Sequence, residues 1–374
     1  MPLPDLHETT IHLKESLVSE TVQLVKKYYG ETLQSGKDLL TDACCTSDAM
    51  PAYAREILAA IHPEVKSKYY GCGLVLPEKL NGAKILDLGS GAGQDCFILS
   101  KLVGETGSVV GVDMTDEQLE VARQHEDFHR QAFGYQTANT KFLKGYLEKL
   151  DELDLPENHF DVIVSNCVIN LCEDKEAVLK ACHRLLKEGG EVYFSDVYSD
   201  RRIPESLRKD PILYGECLSG ALYHRDFIQL AQRSGFSQPR RVKGRPLAIR
   251  HAETQKKLGA HRFHSVTYRL FKVAGLEQEC EDYGQAVKYM GTLPQAPDQF
   301  ALDESSSFET GKVTPVCGST FDILKASRFA GDFQFYGDNS VHFGPFACGG
   351  SSSSQAIAAG ASSQPGASPS GSCC

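Results

Sequence analysis

Between residues 84 and 196 the chain alternates short apolar runs with longer stretches of helical periodicity, a pattern that predicts a parallel sheet with helical crossovers. The expected strands are Lys84–Leu88, Ser108–Val112, Thr140–Leu143, Phe160–Ser165 and Glu191–Asp196. The fourth is apolar and β-branched, as a strand covered on both faces should be. Between them, helices are expected over Asp95–Leu102, over Thr115–Phe133 behind a Thr115/Gln118 capping box, and over Lys175–Lys187, stopped by Gly189-Gly190. Ahead of the sheet, Leu17–Tyr29 reads as an amphipathic helix ended by Gly30, and Pro51 as the first residue of a helix reaching Ile61. Beyond Val197 a helix over Arg225–Ser234 precedes two β-rich runs, Pro239–Ile249 and Ser265–Lys272, placed to complete the sheet antiparallel. Val273–Pro345 reads as a small α+β appendage, and the Gly/Ser/Ala-rich Ala347–Cys374 as a disordered tail. The fold class is α/β, Rossmann-like, with a mostly parallel seven-stranded sheet. The expected division is 1–50 (N-terminal helix and cysteine loop), 51–234 (main sheet domain), 235–275 (sheet completion), 276–346 (small C-terminal domain) and 347–374 (tail).

Composition narrows the partners. In 374 residues, 41% hydrophobic and 24% charged, the net charge is −10, which argues against nucleic acid or an anionic membrane as partner. Met1 to Val18 shows no signal-peptide core and no segment reads as membrane-spanning, so a cytoplasmic, reducing setting and a monomer are expected. There are nonetheless 13 cysteines, an odd number with no C-x-x-C pair, which points to soft-metal or redox chemistry rather than a disulfide scaffold.

The stretch Lys84 to Gln94, K-I-L-D-L-G-S-G-A-G-Q, is a strand that turns on glycines into a helix, leaving backbone N–H groups beside a ligand-sized crevice. A dinucleotide fingerprint on Gly89 and Gly91 would need glycine at 94, where Gln94 stands. An acid-x-G-x-G-x-G pattern fits instead, as Asp87, Gly89, Gly91 and Gly93 around Ser90, which is the loop of S-adenosylmethionine methyltransferases. A cofactor ending in an amino acid gains from a carboxylate near its ammonium, whereas a pyrophosphate would be repelled. The plain alternative is a structural Gly-rich turn. Asp113, 26 positions after Asp87 at the end of the second strand, is placed to accept from ribose hydroxyls, unless it merely caps beside Thr115. Met114 follows as a cover for adenine, with Leu147 and Glu148 expected on the far side of the ring and Asn166 at the end of the fourth strand.

Cys167 ends that fourth strand, where a transferable methyl should point. A lone cysteine there would be inert packing, the reading given to Cys96, Cys172 and Cys182. Cys72, however, sits in a Gly-flanked loop before the sheet, and Cys217 in the loop after the fifth strand. Three thiols converging on one edge would make a pyramidal site for a soft trivalent centre. Arsenic(III) suits it, being thiophilic and three-coordinate, with a lone pair that can attack an electrophilic methyl without a general base.

At this point Tyr69-Tyr70-Gly71-Cys72-Gly73-Leu74-Val75, Ile85-Leu86-Asp87-Leu88-Gly89-Ser90-Gly91, Ser165-Asn166-Cys167-Val168-Ile169-Asn170-Leu171 and Gly215-Glu216-Cys217-Leu218 together resemble the arsenite S-adenosylmethionine methyltransferases over about residues 20 to 346. The resemblance implies a class I methyltransferase domain, an arsenic-binding region and a small C-terminal domain. It implies that Cys72, Cys167 and Cys217 bind As(III) as substrate and that Tyr70 packs against the cofactor. It further implies that Cys44 joins Cys72 in a disulfide relay reopened by thioredoxin or glutathione. Mono- and dimethylated arsenicals would be the products. Cys45 and the Cys373-Cys374 tail have no settled role, and Cys280, Cys317 and Cys348 have none. Two rivals remain: a methyltransferase of a small organic acceptor whose cysteines are merely packed, and a non-catalytic arsenic-sequestering protein.

Overall fold

The computed structural model describes residues 50–71, 75–208, 210, 213–214, 216–249 and 251–347. The expected Leu17–Tyr29 helix, Cys44, Cys72 and the tail from Cys348 onward lie outside the described residues. β1 (Lys84–Leu88) pairs in parallel with β2 (Ser108–Asp113) on one side and β4 (Phe160–Asn166) on the other. β3 (Thr140–Lys144) continues the sheet beyond β2, and β5 (Leu186–Ser199) beyond β4, both parallel. The two β-rich runs close the sheet antiparallel, as expected: β8 (Phe263–Phe271) lies on β5 and β7 (Arg240–Pro246) on β8. The seven-strand path is therefore β3-β2-β1-β4-β5-β8-β7, with the two-residue β6 (Leu222–Tyr223) adding to β5 off that path.

Strand pleat sorts the side chains into two cores. Ile85, Val162, Val164 and Tyr193 join the apolar cluster on one face, while Leu86, Leu88, Ile163, Val192 and Phe194 join the cluster on the other. A sheet covered on both faces explains why its strands read as unbroken apolar runs. Order reverses at β1, flanked by β2 and β4. That reversal leaves a crevice outside the carboxyl ends of the strands, where ligands bind in open α/β sheets.

Among the described residues, the α-helices of five residues or more are α1 (Ala52–Ala60), α2 (Pro63–Ser67), α3 (Gln94–Val103), α4 (Asp116–Gln124), α5 (Glu126–Phe133), α6 (Lys175–Leu185), α7 (His224–Arg233), α8 (Ala252–Leu258) and α9 (Gly318–Ala326). Four local expectations need correction. Pro51 is the N-cap of α1, not its first residue. The long helix expected over Thr115–Phe133 breaks into α4 and α5 at His125, whose ring meets the Glu64 carboxylate at 2.8 Å. Thr115 is the N-cap of α4 but makes no side-chain cap bond, because its hydroxyl serves Asp113. β5 begins at Leu186, through the glycines read as a stop, because Gly189 N–H donates to the Lys272 carbonyl (2.7 Å) and Lys272 N–H to that of Gly190 (2.9 Å).

The C-terminal region has a core of its own, in which Val287, Tyr289, Phe300, Phe308, Phe329 and Phe333 pack around α9 residues and reach Phe271 of β8. Its three-stranded sheet places β9 (Ala286–Tyr289) between β10 (Val313–Pro315) and β11 (Phe333–Tyr336). The expected small α+β appendage is there.

Candidate active site

The crevice opens into a cleft that is partly open to solvent, with about 1050 Å³ of empty space counting the solvent at its opening. The Gly loop forms its floor. Gly89 (φ 75°) and Gly91 (φ 51°) both adopt the left-handed region, and their N–H groups bond to the Val112 carbonyl (2.8 Å) and the Asp113 carboxylate (2.9 Å). A Cβ on Gly89 would lie 2.4 Å from a Val168 methyl, so the position has no room for any other residue.

Most of the expected cofactor residues line this one cleft: Tyr70, Asp87, Gly89, Ser90, Gly91, Asp113, Met114, Leu147, Glu148 and Asn166. Gly93 does not line it. That glycine is the left-handed N-cap of α3 (φ 89°), packed behind the loop against Phe97 and Phe142. Of the sulfur positions, Cys167 lines the cleft and Cys217 does not, yet the Cys217 thiol donates to the Cys167 carbonyl at 3.2 Å. Cys167 is disulfide-bonded, whereas Cys217 remains in the thiol form. Cys44 and Cys72 lie outside the described residues, so the third member of the expected trio is not placed. Cys280, given no role from sequence, is also disulfide-bonded.

Several groups at the site were not anticipated. Asp95, in the first turn of α3, is buried with one carboxylate oxygen accepting from the Asn166 amide at 2.8 Å; the other oxygen has no hydrogen-bond partner. The same Asn166 amide reaches the Tyr69 hydroxyl at 2.8 Å. Cys96, read as packing, donates its S–H to Asp87 at 3.1 Å. At the end of β5, Asp196 accepts from the backbone N–H groups of Asn170 (3.0 Å) and Val197 (2.8 Å), fixing the turn that follows Cys167. Cys172, also read as packing, lines the cleft. A polar residue in the first helical turn was the one sequence signal for Asp95, and dipole compensation explains such residues equally well.

The electrostatics are those of a site waiting for a cation. Burial pushes Asp87 up to about 8, with the nearby Asp95 charge adding to the effect. Burial likewise pushes Asp95 to about 6 against the hydrogen bonds from Asn166 and Tyr69, and Asp196 to about 7. Asp113 is raised by burial, opposed by N–H bonds from Thr115 and Gly91. Two buried acids with one unpartnered oxygen between them fit a ligand that carries an ammonium.

A switch-point crevice lined by buried acids and a glycine loop is what a class I S-adenosylmethionine-dependent methyltransferase presents, and residues 79–255 match the family "Methyltransferase domain". Residues 283–374 match the family "Arsenite methyltransferase C-terminal domain". The arsenite methyltransferase of Aquipseudomonas alcaligenes is 56% identical over 327 residues, covering 87% of this chain and 94% of that one. The human arsenite methyltransferase is 45% identical over 312 residues, 83% of this chain and 82% of that one. A crystal structure of an arsenic(III) S-adenosylmethionine methyltransferase from Chlamydomonas reinhardtii superposes with a TM-score of 0.77 at 47% identity, over 80% of this chain and all of the other. The chain belongs to the arsenite methyltransferases and methylates arsenic at the expense of S-adenosylmethionine.

Proposed function

We propose that Cys72, Cys167 and Cys217 together hold As(III) at the mouth of the cleft, and that Cys44 and Cys72 supply reducing equivalents through a relay that includes Cys167. The observation that carries this reading is the contact of the Cys217 thiol with the carbonyl of Cys167, 50 residues away in sequence, where Cys167 lines the cofactor cleft. S-adenosylmethionine supplies the methyl group as an electrophile on a sulfonium. Asp87 and Asp95 would hold the ammonium of its amino-acid end, and Asp113 the ribose hydroxyls. Met114 and Leu147 cover the adenine, with Glu148 beside them and Tyr70 against the sulfonium end.

The thiolates act by position alone. Three sulfur ligands leave the arsenic lone pair on the side away from them, so bringing it in line with the methyl is the main task of the protein. Methylation raises arsenic formally from the trivalent to the pentavalent state. Two thiols closing to a disulfide return two electrons, and thioredoxin or glutathione then reopens the disulfide by thiol exchange. The disulfide at Cys167 supports this, because that sulfur must be reduced before it can hold arsenic. The products are mono- and dimethylated arsenicals, and the setting is the reducing cytoplasm, with the chain acting as a monomer. Among the described residues no helix is long and apolar enough to cross a membrane.

The test is a reaction with methyl-labelled S-adenosylmethionine, arsenite and thioredoxin or glutathione, run beside Cys167→Ser. Label reaching arsenic with the parent and lost with the variant, while both still bind the cofactor, is the expected result. A variant that methylates arsenite at the parent rate sinks the thiolate assignment.

A further inference from the structure

Outside the cofactor cleft, α2 packs on the bend between α4 and α5, and three side chains able to hold a metal meet there. His62 and Glu64 come from the start of α2, and His125 from the bend itself. Each offers one donor atom, and the three donors lie within 4.8 Å of one another, the one such group among the described residues. His125 Nε2 is 2.8 Å from the Glu64 carboxylate, and the His62 and His125 rings stack with centroids 3.7 Å apart. The His125 side chain is 9% exposed and that of Glu64 43%, so the group has a buried anchor and a route from solvent.

The two histidines are held by their backbones from one point. His129 is buried and stacks on Phe97. Its Nε2 accepts from the His62 N–H at 3.2 Å, and its Nδ1 lies 2.7 Å from the His125 carbonyl. Phe128 covers the His62 ring from the side, nearly perpendicular to it at 5.0 Å. Ligands whose main chain is already fixed give up little freedom when an ion orders their side chains.

The plain account of these contacts is a His125–Glu64 ion pair beside an N-cap. It leaves the second imidazole little used. His62 Nδ1 accepts from the Glu64 N–H at a long 3.3 Å, and its Nε2 makes no hydrogen bond among the described residues. Two imidazoles and a carboxylate are borderline donors, suited to Zn(II), Co(II) or Ni(II); Ca(II) and Mg(II) take oxygen ligands, and arsenic takes thiolates. With solvent in the fourth position they complete a tetrahedral set. At metal–ligand lengths of about 2.0–2.2 Å such an ion draws its donors to about 3.4 Å from one another. Turning the partly exposed His62 ring out of the stack closes that gap and gives up only the long cap bond.

We infer that His62, Glu64 and His125 form a site for a borderline divalent cation of the zinc class. None of the three lines the cofactor cleft, whereas Val65 and Lys68 line it from the α2 side and Thr115 and Gln118 from the α4 side. A bound ion therefore ties two stretches of the cleft wall together. Its effect is structural: it stabilises the folded chain and holds α2 against the bend.

The test uses Co(II) on the reduced full chain, because its spectrum reports the donor atoms. Thiolate ligands give intense charge-transfer absorption in the near ultraviolet. An imidazole–carboxylate set gives only weak visible bands, with paramagnetically shifted ring N–H signals in proton NMR. Two variants remove a ligand and spare the packing: Glu64→Gln changes a half-exposed side chain, and His62→Asn keeps a capping acceptor for α2. The parent should bind one more equivalent of Co(II) than either variant, and that equivalent should carry shifted ring N–H signals without sulfur charge transfer. In Glu64→Gln the Kd of this equivalent should rise at least about tenfold, and the melting temperature should no longer climb with Co(II) as the parent's does. Metal-free melting curves close to the parent's show that the variants fold. Equal Co(II) stoichiometry in all three proteins, with sulfur charge transfer accounting for all of it, would overturn the site, as would a parent that binds no Co(II).

Discussion

The Cys217 thiol lies 3.2 Å from the carbonyl oxygen of Cys167, and both residues take left-handed backbone conformations, φ 59° and 58°. Strained non-glycine conformations gather where function demands a particular side-chain direction, and here two of the four in the described chain fall on adjacent sulfur residues. Cys217 sits in an apolar cluster with Cys167, Val197, Leu213 and Leu218. The pair is built into the fold by the turn after β4 and the loop after β5.

Replacing Cys217 by asparagine separates sulfur from backbone shape, because asparagine enters the left-handed region readily. Arsenic methylation should fall about a hundredfold, comparable with damage to a metal-ligand sphere, while S-adenosylmethionine affinity stays within about twofold. Arsenic speciation and calorimetric titration of the cofactor measure the two quantities. Methylation near the parent rate would remove Cys217 from the site.

The raised acids make cofactor binding pH-dependent. With its pKa near 8, Asp87 carries a proton at pH 7, and an incoming ammonium favours the carboxylate, so binding releases that proton. Affinity should therefore strengthen from pH 6 toward 8, by at most about tenfold per pH unit. The sign for stability is opposite. A carboxyl whose folded value lies above its unfolded one stabilises at low pH and loses that contribution as pH rises, so the cofactor-free protein should melt progressively lower between pH 6 and 8. Calorimetry in buffers of different ionisation enthalpy counts the released proton, and Asp87→Asn should release none. An affinity that is flat across this range would show that Asp87 does not face the ammonium.

Much of this architecture was legible because its signals are local. β1 and β4 announce themselves as apolar runs, the Gly loop as a spacing, and the cleft-lining Asp87 and Asp113 as acids near strand ends. What escaped was long-range. Asp95 takes its hydrogen bond from Asn166, 71 positions away, and Lys79 its ion pair from Asp332, 253 positions away. Neither leaves a periodic trace. The break at His125 escaped for the same reason, since its partner Glu64 lies 61 residues earlier.

Gly71→Ala tests whether the Tyr69–Asn166–Asp95 chain orders the cleft. The added Cβ would meet the Asn166 amide and the Tyr69 hydroxyl at 2.5 Å, and both are ends of side chains able to move aside. The backbone is thus spared and the hydrogen-bond chain is not. Cofactor affinity should drop about tenfold, as for a supporting residue that no longer orients a ligand-binding one, with a small change in melting temperature. Retained affinity would mean that the cleft does not depend on this chain.

His129 gives the last prediction. Its ring stacks on Phe97 at 3.7 Å, its Nε2 accepts from the His62 N–H at 3.2 Å, and its Nδ1 lies 2.7 Å from the His125 carbonyl. An Nε2 that accepts carries no proton, so the neutral ring must donate through Nδ1. Burial, with His125 and His62 nearby, pushes its pKa down to about 4. The unfolded chain therefore binds the proton first, and stability is lost as pH falls from about 6.5 toward 4. Protonation breaks the bond to His62, the N-cap of α2, whose Val65 lines the cleft. His129→Gln keeps an acceptor for His62 but no titrating ring, so its melting temperature should fall less steeply than the parent's over that range. Parallel curves for the two proteins would show that another group carries the acid sensitivity.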